Sequence, residues 1–242
     1  MLPTLDTPKY EIELPILKKT VKFRPFLVKE QKILLIAADS DDEKFLIDNI
    51  KQIIKNCCLT ELDIESLSSV DLEFFFLQLR ARSVEEVIQT KYRCENTLES
   101  GEICKNSMEV EINLLDINVE TDTYNDNIKL TDNIGIKMKC PTIQMVENLN
   151  KTKKDDNIIN KTFDVIIQCI DYIYDNENFY YPKEVSKKEI TDFLESLSID
   201  QFKKVEEFFS KIPKLRKELN VICSKCGFQH KIVLEGLQSF LD

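Results

Sequence analysis

Four of the eight cysteines form two pairs in matching surroundings. Cys223 and Cys226 lie in Val221-Ile-Cys223-Ser-Lys-Cys226-Gly227, followed by the strand-like run Phe-Gln-His-Lys-Ile-Val-Leu-Glu235. Cys94 and Cys104 lie between Lys91-Tyr-Arg-Cys94 and Met108-Glu-Val-Glu-Ile-Asn-Leu-Leu115. A structural zinc takes four ligands in a tetrahedron, with thiolates at about 2.3 Å, and a zinc ribbon supplies two from each of two hairpin mouths. One structural Zn2+ on Cys94, Cys104, Cys223 and Cys226 is therefore expected, and the alternative is a pair of hairpins that carries no metal. Gly227 frees the backbone to turn its amide toward a thiolate. In the first pair, residues 95–103 stand where two residues are usual, an insertion that lengthens the tip and keeps both strands.

The remaining chemistry is sparse. His230, the single histidine, sits on the outgoing strand and could serve as a ligand instead; four cysteines make it unnecessary, so an exposed or strand-packing role is expected. Cys140, before Pro141, and Cys57 or Cys58 read as structural thiols. One histidine excludes the His-Glu-x-x-His zinc protease helix, and four glycines leave no phosphate cradle or dinucleotide turn. No Gly-x-Ser-x-Gly elbow is present. Thioredoxin-type chemistry needs its first cysteine at a helix N-terminus, whereas strands flank Cys223 and Cys226 on both sides. The 43 Asp and Glu scatter along polar faces and read as solvated surface. The chain is expected not to be an enzyme.

Charge excludes another class. A formal charge of −10 opposes binding to phosphate backbones, so no nucleic-acid partner is expected. No apolar run approaches the roughly 18 residues of a membrane span, and the N-terminus lacks the regions of a signal peptide. A reducing cytoplasm, with free or metal-bound thiols, is the expected setting.

The elements that must position the cysteines follow from periodicity. Tyr10-Glu-Ile-Glu-Leu14 and Val21-Lys-Phe-Arg24 alternate with period two and predict a hairpin. A helix follows Phe26. Ser40 and Glu43 predict the capping box of a second, with Leu46, Ile50, Ile53, Ile54 and Cys57 on one face. Residues 71–82 predict a third helix, with Asp71 and Glu73 in its first turn and more apolar surface than one face holds. Strands are expected over 87–93, 108–114, 128–130 and 134–138, and residues 151–157 read as a polar loop. A buried helix is expected from Ile158 to Tyr174, with Ile159, Phe163 and Ile166 on its apolar side. Ser186 with Glu189 and Ser198 with Gln201 start two more helices, the second bounded by Pro213. Leu237 and Phe240 are expected to be buried. The fold class is α+β: helical segments with antiparallel hairpins and a discontinuous zinc-ribbon-like module joining residues 87–119 and 215–237. Four regions are expected: 1–83, 84–140, 141–213 and 214–242.

Three stretches carry a resemblance. They are Tyr10-Glu-Ile-Glu-Leu-Pro15 with Val21-Lys-Phe-Arg-Pro-Phe-Leu-Val-Lys-Glu30; Phe76-Leu-Gln-Leu-Arg-Ala-Arg-Ser-Val-Glu-Glu-Val87 with Lys91-Tyr-Arg-Cys94; and Glu207-Phe-Phe-Ser-Lys-Ile-Pro-Lys-Leu215 through the cysteine hairpin to Phe240. In their order and spacing the chain resembles the small baseplate protein family of T4-like contractile-tailed bacteriophages. Cys223, Cys226 and Gly227 match its C-terminal pattern directly, and Cys94 and Cys104 match less tightly. The resemblance implies a late, structural or assembly protein of the baseplate hub. Its partners would be other hub subunits, met in the infected bacterial cytoplasm, with the virion tail baseplate as a further location for the protein. The competing reading is a zinc-ribbon adaptor or regulator bound to another soluble machine such as RNA polymerase.

Overall fold

The computed structural model describes residues 5–40, 42–121, 124–145 and 158–240. The protein is α+β, with short antiparallel sheets and helices in two compact units. The first unit draws on residues 1–64, 70–120 and 214–242, and the second on 65–69 and 121–213.

The first unit opens with the expected hairpin, β1 (Tyr10–Glu13) against β2 (Thr20–Phe23). Helices α1 (Val28–Ala38) and α2 (Glu43–Cys57) follow, then α3 (Ser69–Ser83). The α2 start differs from expectation. Asp42 is the cap, its carboxylate accepting from the amides of Lys44 and Phe45, while Ser40 Oγ accepts from the Asp42 amide. Asp42 wins because a carboxylate one residue before the first turn meets both orphan amides and the helix dipole. The Glu43 side chain lies outside the described residues.

Phe75, Phe76, Leu77 and Leu79 of α3 are all fully buried, as an all-round apolar sequence requires. Phe75 meets Phe23 edge to face at 5.5 Å. Asp71 is buried too, and its carboxylate accepts the amides of Ile16 at 2.8 Å and Leu17 at 3.1 Å. A buried carboxylate is tolerable only when bonded in this way, and here it also fixes the loop of the first hairpin.

Two longer hairpins complete this unit, β3 (Val87–Arg93) with β4 (Ser107–Asn113) and β9 (Arg216–Ile222) with β10 (Gln229–Glu235). A bridge between Val119 and Leu215 joins the segment leaving β4 to the segment entering β9. The discontinuous module expected over 87–119 and 215–237 is thus one piece of structure. Beyond β10, Gly236 turns the chain with φ +74 into a short 3-10 turn, Leu237–Phe240. Leu237 and Phe240 are buried as expected, and the Leu237 amide donates to Glu73 Oε2 at 3.2 Å.

The second unit is a four-stranded antiparallel sheet, β5 (Asn127–Lys129), β6 (Gly135–Met138), β7 (Ile170–Tyr174) and β8 (Phe179–Tyr180), in that order. Helices α4 (Ile158–Cys169), α5 (Lys187–Glu195) and α6 (Ile199–Ser210) supply the rest of its core, with Ile136, Ile166, Ile170, Leu194 and Val205 at the centre. Both predicted capping boxes are present, at Ser186 and Ser198. The helix expected to reach Tyr174 stops at Cys169 instead. Ile-Asp-Tyr-Ile-Tyr alternates as well as it cycles, and pairing with β6 satisfies its backbone while sending Ile173 to the core. Tyr174 lies so close over Gly135 that any Cβ there would run into its ring. The 151–157 loop and the Ile159 side chain lie outside the described residues.

Candidate metal centre

The two cysteine hairpins end in the same backbone knuckle. In the second, the Cys223 amide donates to the Phe228 carbonyl at 2.9 Å, and the Gly227 amide to the Cys223 carbonyl at 2.8 Å. In the first, the Cys94 amide donates to the Asn106 carbonyl at 2.8 Å, and the Lys105 amide to the Cys94 carbonyl at 2.9 Å. Cys94 therefore corresponds to Cys223, Cys104 to Cys226, and Lys105 to Gly227. Both residues of the last pair take the left-handed conformation, at φ +56 and +71. It costs a residue with a side chain about 1 kcal/mol or more, so its use at Lys105 marks a knuckle that the surroundings enforce.

The insertion at 95–103 is itself a small hairpin. The Cys104 amide donates to the Asn96 carbonyl at 2.9 Å, Thr97 bridges Ile103, and the Leu98 amide donates to Glu102 at 2.8 Å. Gly101, at φ +85, closes the tip with a bond from its amide to the Leu98 carbonyl. The base stays hydrogen-bonded, so the longer tip does not separate Cys94 from Cys104.

The four expected ligand residues come together: their Sγ atoms all lie within 4.8 Å of one another. Cys94 and Cys226 are 3.7 Å apart and Cys104 and Cys223 3.9 Å, both pairs crossing between hairpins. A tetrahedron of sulfurs at about 2.3 Å from a metal has edges of about 3.8 Å. All four cysteines are free thiols; Cys94, Cys104 and Cys223 are buried and Cys226 is partly exposed. Met108 packs beneath them, with Tyr92, Leu98 and Val221 around it. An all-sulfur set suits a soft or borderline cation, not calcium or magnesium, so this centre could hold a metal ion.

Amides point into the cluster, though not the one expected. Gly227 gives its amide to a carbonyl, whereas Cys223 Sγ accepts from the amides of Cys226 and Lys225. Asn96 and Asn106 turn their amides to Cys94 and Cys104, each two residues on from its cysteine. Burial alone would raise the Cys223 thiol, but the Cys226 and Lys225 amides, together with the Cys226 side chain and the Asn106 side chain, outweigh it and hold the thiol well below the ordinary range. Burial pushes the Cys94 thiol up, against the Asn96 amide. Four touching sulfurs cannot all ionise without a counter-charge, and a divalent cation supplies one.

His230 is not merely a strand-packing residue: its Nε2 lies 3.1 Å from Cys94 Sγ while Phe228 meets its ring edge-on at 4.8 Å. Two further side chains reach the sulfurs and were not anticipated, Asn106 Nδ2 to Cys223 at 3.5 Å and Asn96 Nδ2 to Cys226 at 3.7 Å. A signal for them existed, because Cys-x-Asn occurs at both Cys94 and Cys104. Cys57, Cys58, Cys140 and Cys169 are not among the clustered four. Cys57 is buried beside Arg24, its thiol pushed up to about 11 by burial, and Cys140 donates to the Tyr124 hydroxyl at 3.2 Å.

Among known proteins, no curated protein and no solved structure matches the chain. A family described as "T4 bacteriophage base plate protein" matches residues 7–242, a span that takes in both units and every residue of the cysteine centre. With nearly the whole length matched, the chain belongs to the T4 bacteriophage base plate protein family and is a phage baseplate protein.

Proposed function

We propose that the protein is a non-enzymatic structural and assembly component of the baseplate hub, acting by binding neighbouring hub subunits, with one zinc on Cys94, Cys104, Cys223 and Cys226 as a structural staple. The family match over residues 7–242 carries the reading, because it puts both units in a baseplate protein. The surface supports it. Val28, Leu35 and Ile36 of α1 are each more than 60% exposed, and Phe179, Tyr180 and Tyr181 form an exposed aromatic run at the sheet edge of the second unit. Apolar and aromatic side chains of this kind supply interface affinity, and a charge of −10 supplies selection among partners. No helix among the described residues is long and apolar enough to cross a membrane. The zinc assignment rests on the all-sulfur donor set and the sulfur separations close to a tetrahedron's edge.

Assembly would take place in the host cytoplasm and the product would enter the tail. In cells infected with phage lacking this gene, tail parts should accumulate without completed baseplates while heads form normally. Full infectious tails made without the protein would overturn the role. Its presence in purified virions would mark a retained subunit, and its absence a transient assembly factor.

A further inference from the structure

Three side chains reach the sulfurs of the centre, and each crosses between half-sites. His230 belongs to β10 and reaches Cys94 of the first hairpin. Asn96 and Asn106 belong to the first hairpin and reach Cys226 and Cys223 of the second. Asn106 also donates to Ser224 Oγ at 3.2 Å, a second bond across the same junction.

Within each knuckle, by contrast, local backbone amides serve the sulfurs, and they fix the half-site to itself. They say nothing about how one hairpin meets the other. At the sulfurs themselves side chains bridge that gap, and among the described residues Asn96, Asn106 and His230 each bring a nitrogen to it. Asn is isosteric with Asp, and Glu95, Glu99 and Glu102 all lie in the same loop with their side chains exposed. A carboxylate at position 96 or 106 would instead set oxygen charge against sulfur charge. The residues turned inward are the neutral donors.

We propose that His230, Asn96 and Asn106 are the orienting residues of the four-cysteine centre. Each indexes one hairpin on the other through an N–H···S bond and draws off part of the sulfur charge, so the bound metal is held more tightly and its thiolates are less reactive. His230 makes the shortest of the three contacts, and it donates to Cys94 Sγ in the tautomer that carries the proton on Nε2. The edge-on Phe228 ring holds it in that orientation. Outer-shell donors of this type typically change metal affinity by about 10–100-fold. The proposal rests on the zinc reading above.

The test uses the full chain loaded with zinc, titrated with a chromophoric chelator, and a parallel Co2+-loaded sample. His230→Leu removes the donor; His230→Gln restores an N–H at similar reach. His230→Leu should bind zinc about 10–100-fold more weakly and shift the thiolate-to-cobalt charge-transfer band, while His230→Gln stays near the parent chain. Asn106→Asp should weaken zinc more than Asn106→Leu, because it adds a repelling carboxylate. The Asn106 pair also decides the matter if His230→Leu does not fold. Equal affinities and bands for His230→Leu, His230→Gln and the parent, or equal losses for the two Asn106 variants, would overturn the proposal while the metal stays bound. A parent chain that takes up neither zinc nor cobalt would overturn the zinc reading, and the orienting role with it.

Discussion

Phe240→Ala should destabilise the first unit strongly although it alters the last turn of the described chain. A single 3-10 turn beyond the last strand has few contacts of its own, and an aromatic residue on it is expected to be at least partly wet. Phe240 is instead fully buried, and the chain before it is tied down at three points: the Leu237 amide on Glu73, the Gly236 amide on the Leu215 carbonyl, and Ser239 Oγ on the Glu235 carbonyl. Removing a buried Phe side chain typically costs about 3–5 kcal/mol. At about 2–4 °C per kcal/mol for a chain of this size, the unfolding midpoint should fall by roughly 6–20 °C. Ending the chain after Gly236 also removes buried Leu237, worth about 1.5–3 kcal/mol more. Far-UV circular dichroism during heating and urea titration reads both variants. A midpoint within about 2 °C of the parent for Phe240→Ala, equivalent to no more than about 1 kcal/mol, would refute the argument that this tail is part of the core. If such a variant also failed to assemble, the tail would be a docking element.

Purified protein should hold about one zinc and Cys226→Ser should release it; chelator should then lower the unfolding midpoint of the parent and leave that of the variant unchanged, and full zinc retention by the variant would contradict the ligand set. Glu30 is fully buried; burial raises its pKa, but the Arg24 hydrogen bond, the Leu27 amide and the Arg24 and Lys29 charges together hold it below the ordinary 4.5. Its ionised form therefore stabilises the fold fully above about pH 4.5 and loses that contribution as pH falls through the depressed value, so the stability gap between parent and Glu30→Gln should be constant near neutrality and shrink in acid. A gap that widened in acid would show the sign to be wrong. Gly135→Ala should cost about 1–3 kcal/mol through its clash with Tyr174, and pairing it with Tyr174→Ala should recover part of that loss; strict additivity in urea titrations would disprove the contact.

The parts of the structure legible in sequence are those decided within a few residues. Ser186 and Ser198 cap their helices as read, because a capping box spans four residues and needs nothing else. The cysteine hairpins were legible because alternation and ligand spacing agree over the same residues. Where two local answers were nearly equal, distant partners decided. Ser40 yielded to Asp42, and residues 170–174 left the helix for a sheet whose other strands lie up to 47 positions away. At the centre, the four cysteines that cluster were readable from residue type and spacing. Their donors were less so, since Asn is a common loop residue and His230 looked surplus once four thiols were counted. What singles these residues out is the juxtaposition of two hairpins with Cys104 and Cys223 separated by 119 positions.

That separation sets an order of events during synthesis. At about 5–20 residues per second, Cys104 leaves the ribosome on the order of ten seconds before Cys223. Through that interval the first hairpin has only two of the four clustered thiols, while the whole of residues 121–213 emerges and can close its own sheet first. The inserted stretch departs and returns beside paired residues, Val119 and Leu215, so its ends need no slack to reach their places. The first unit is thus a clasp that stays open until Cys223 and Cys226 emerge, and any metal arriving before then finds only two of the four thiols.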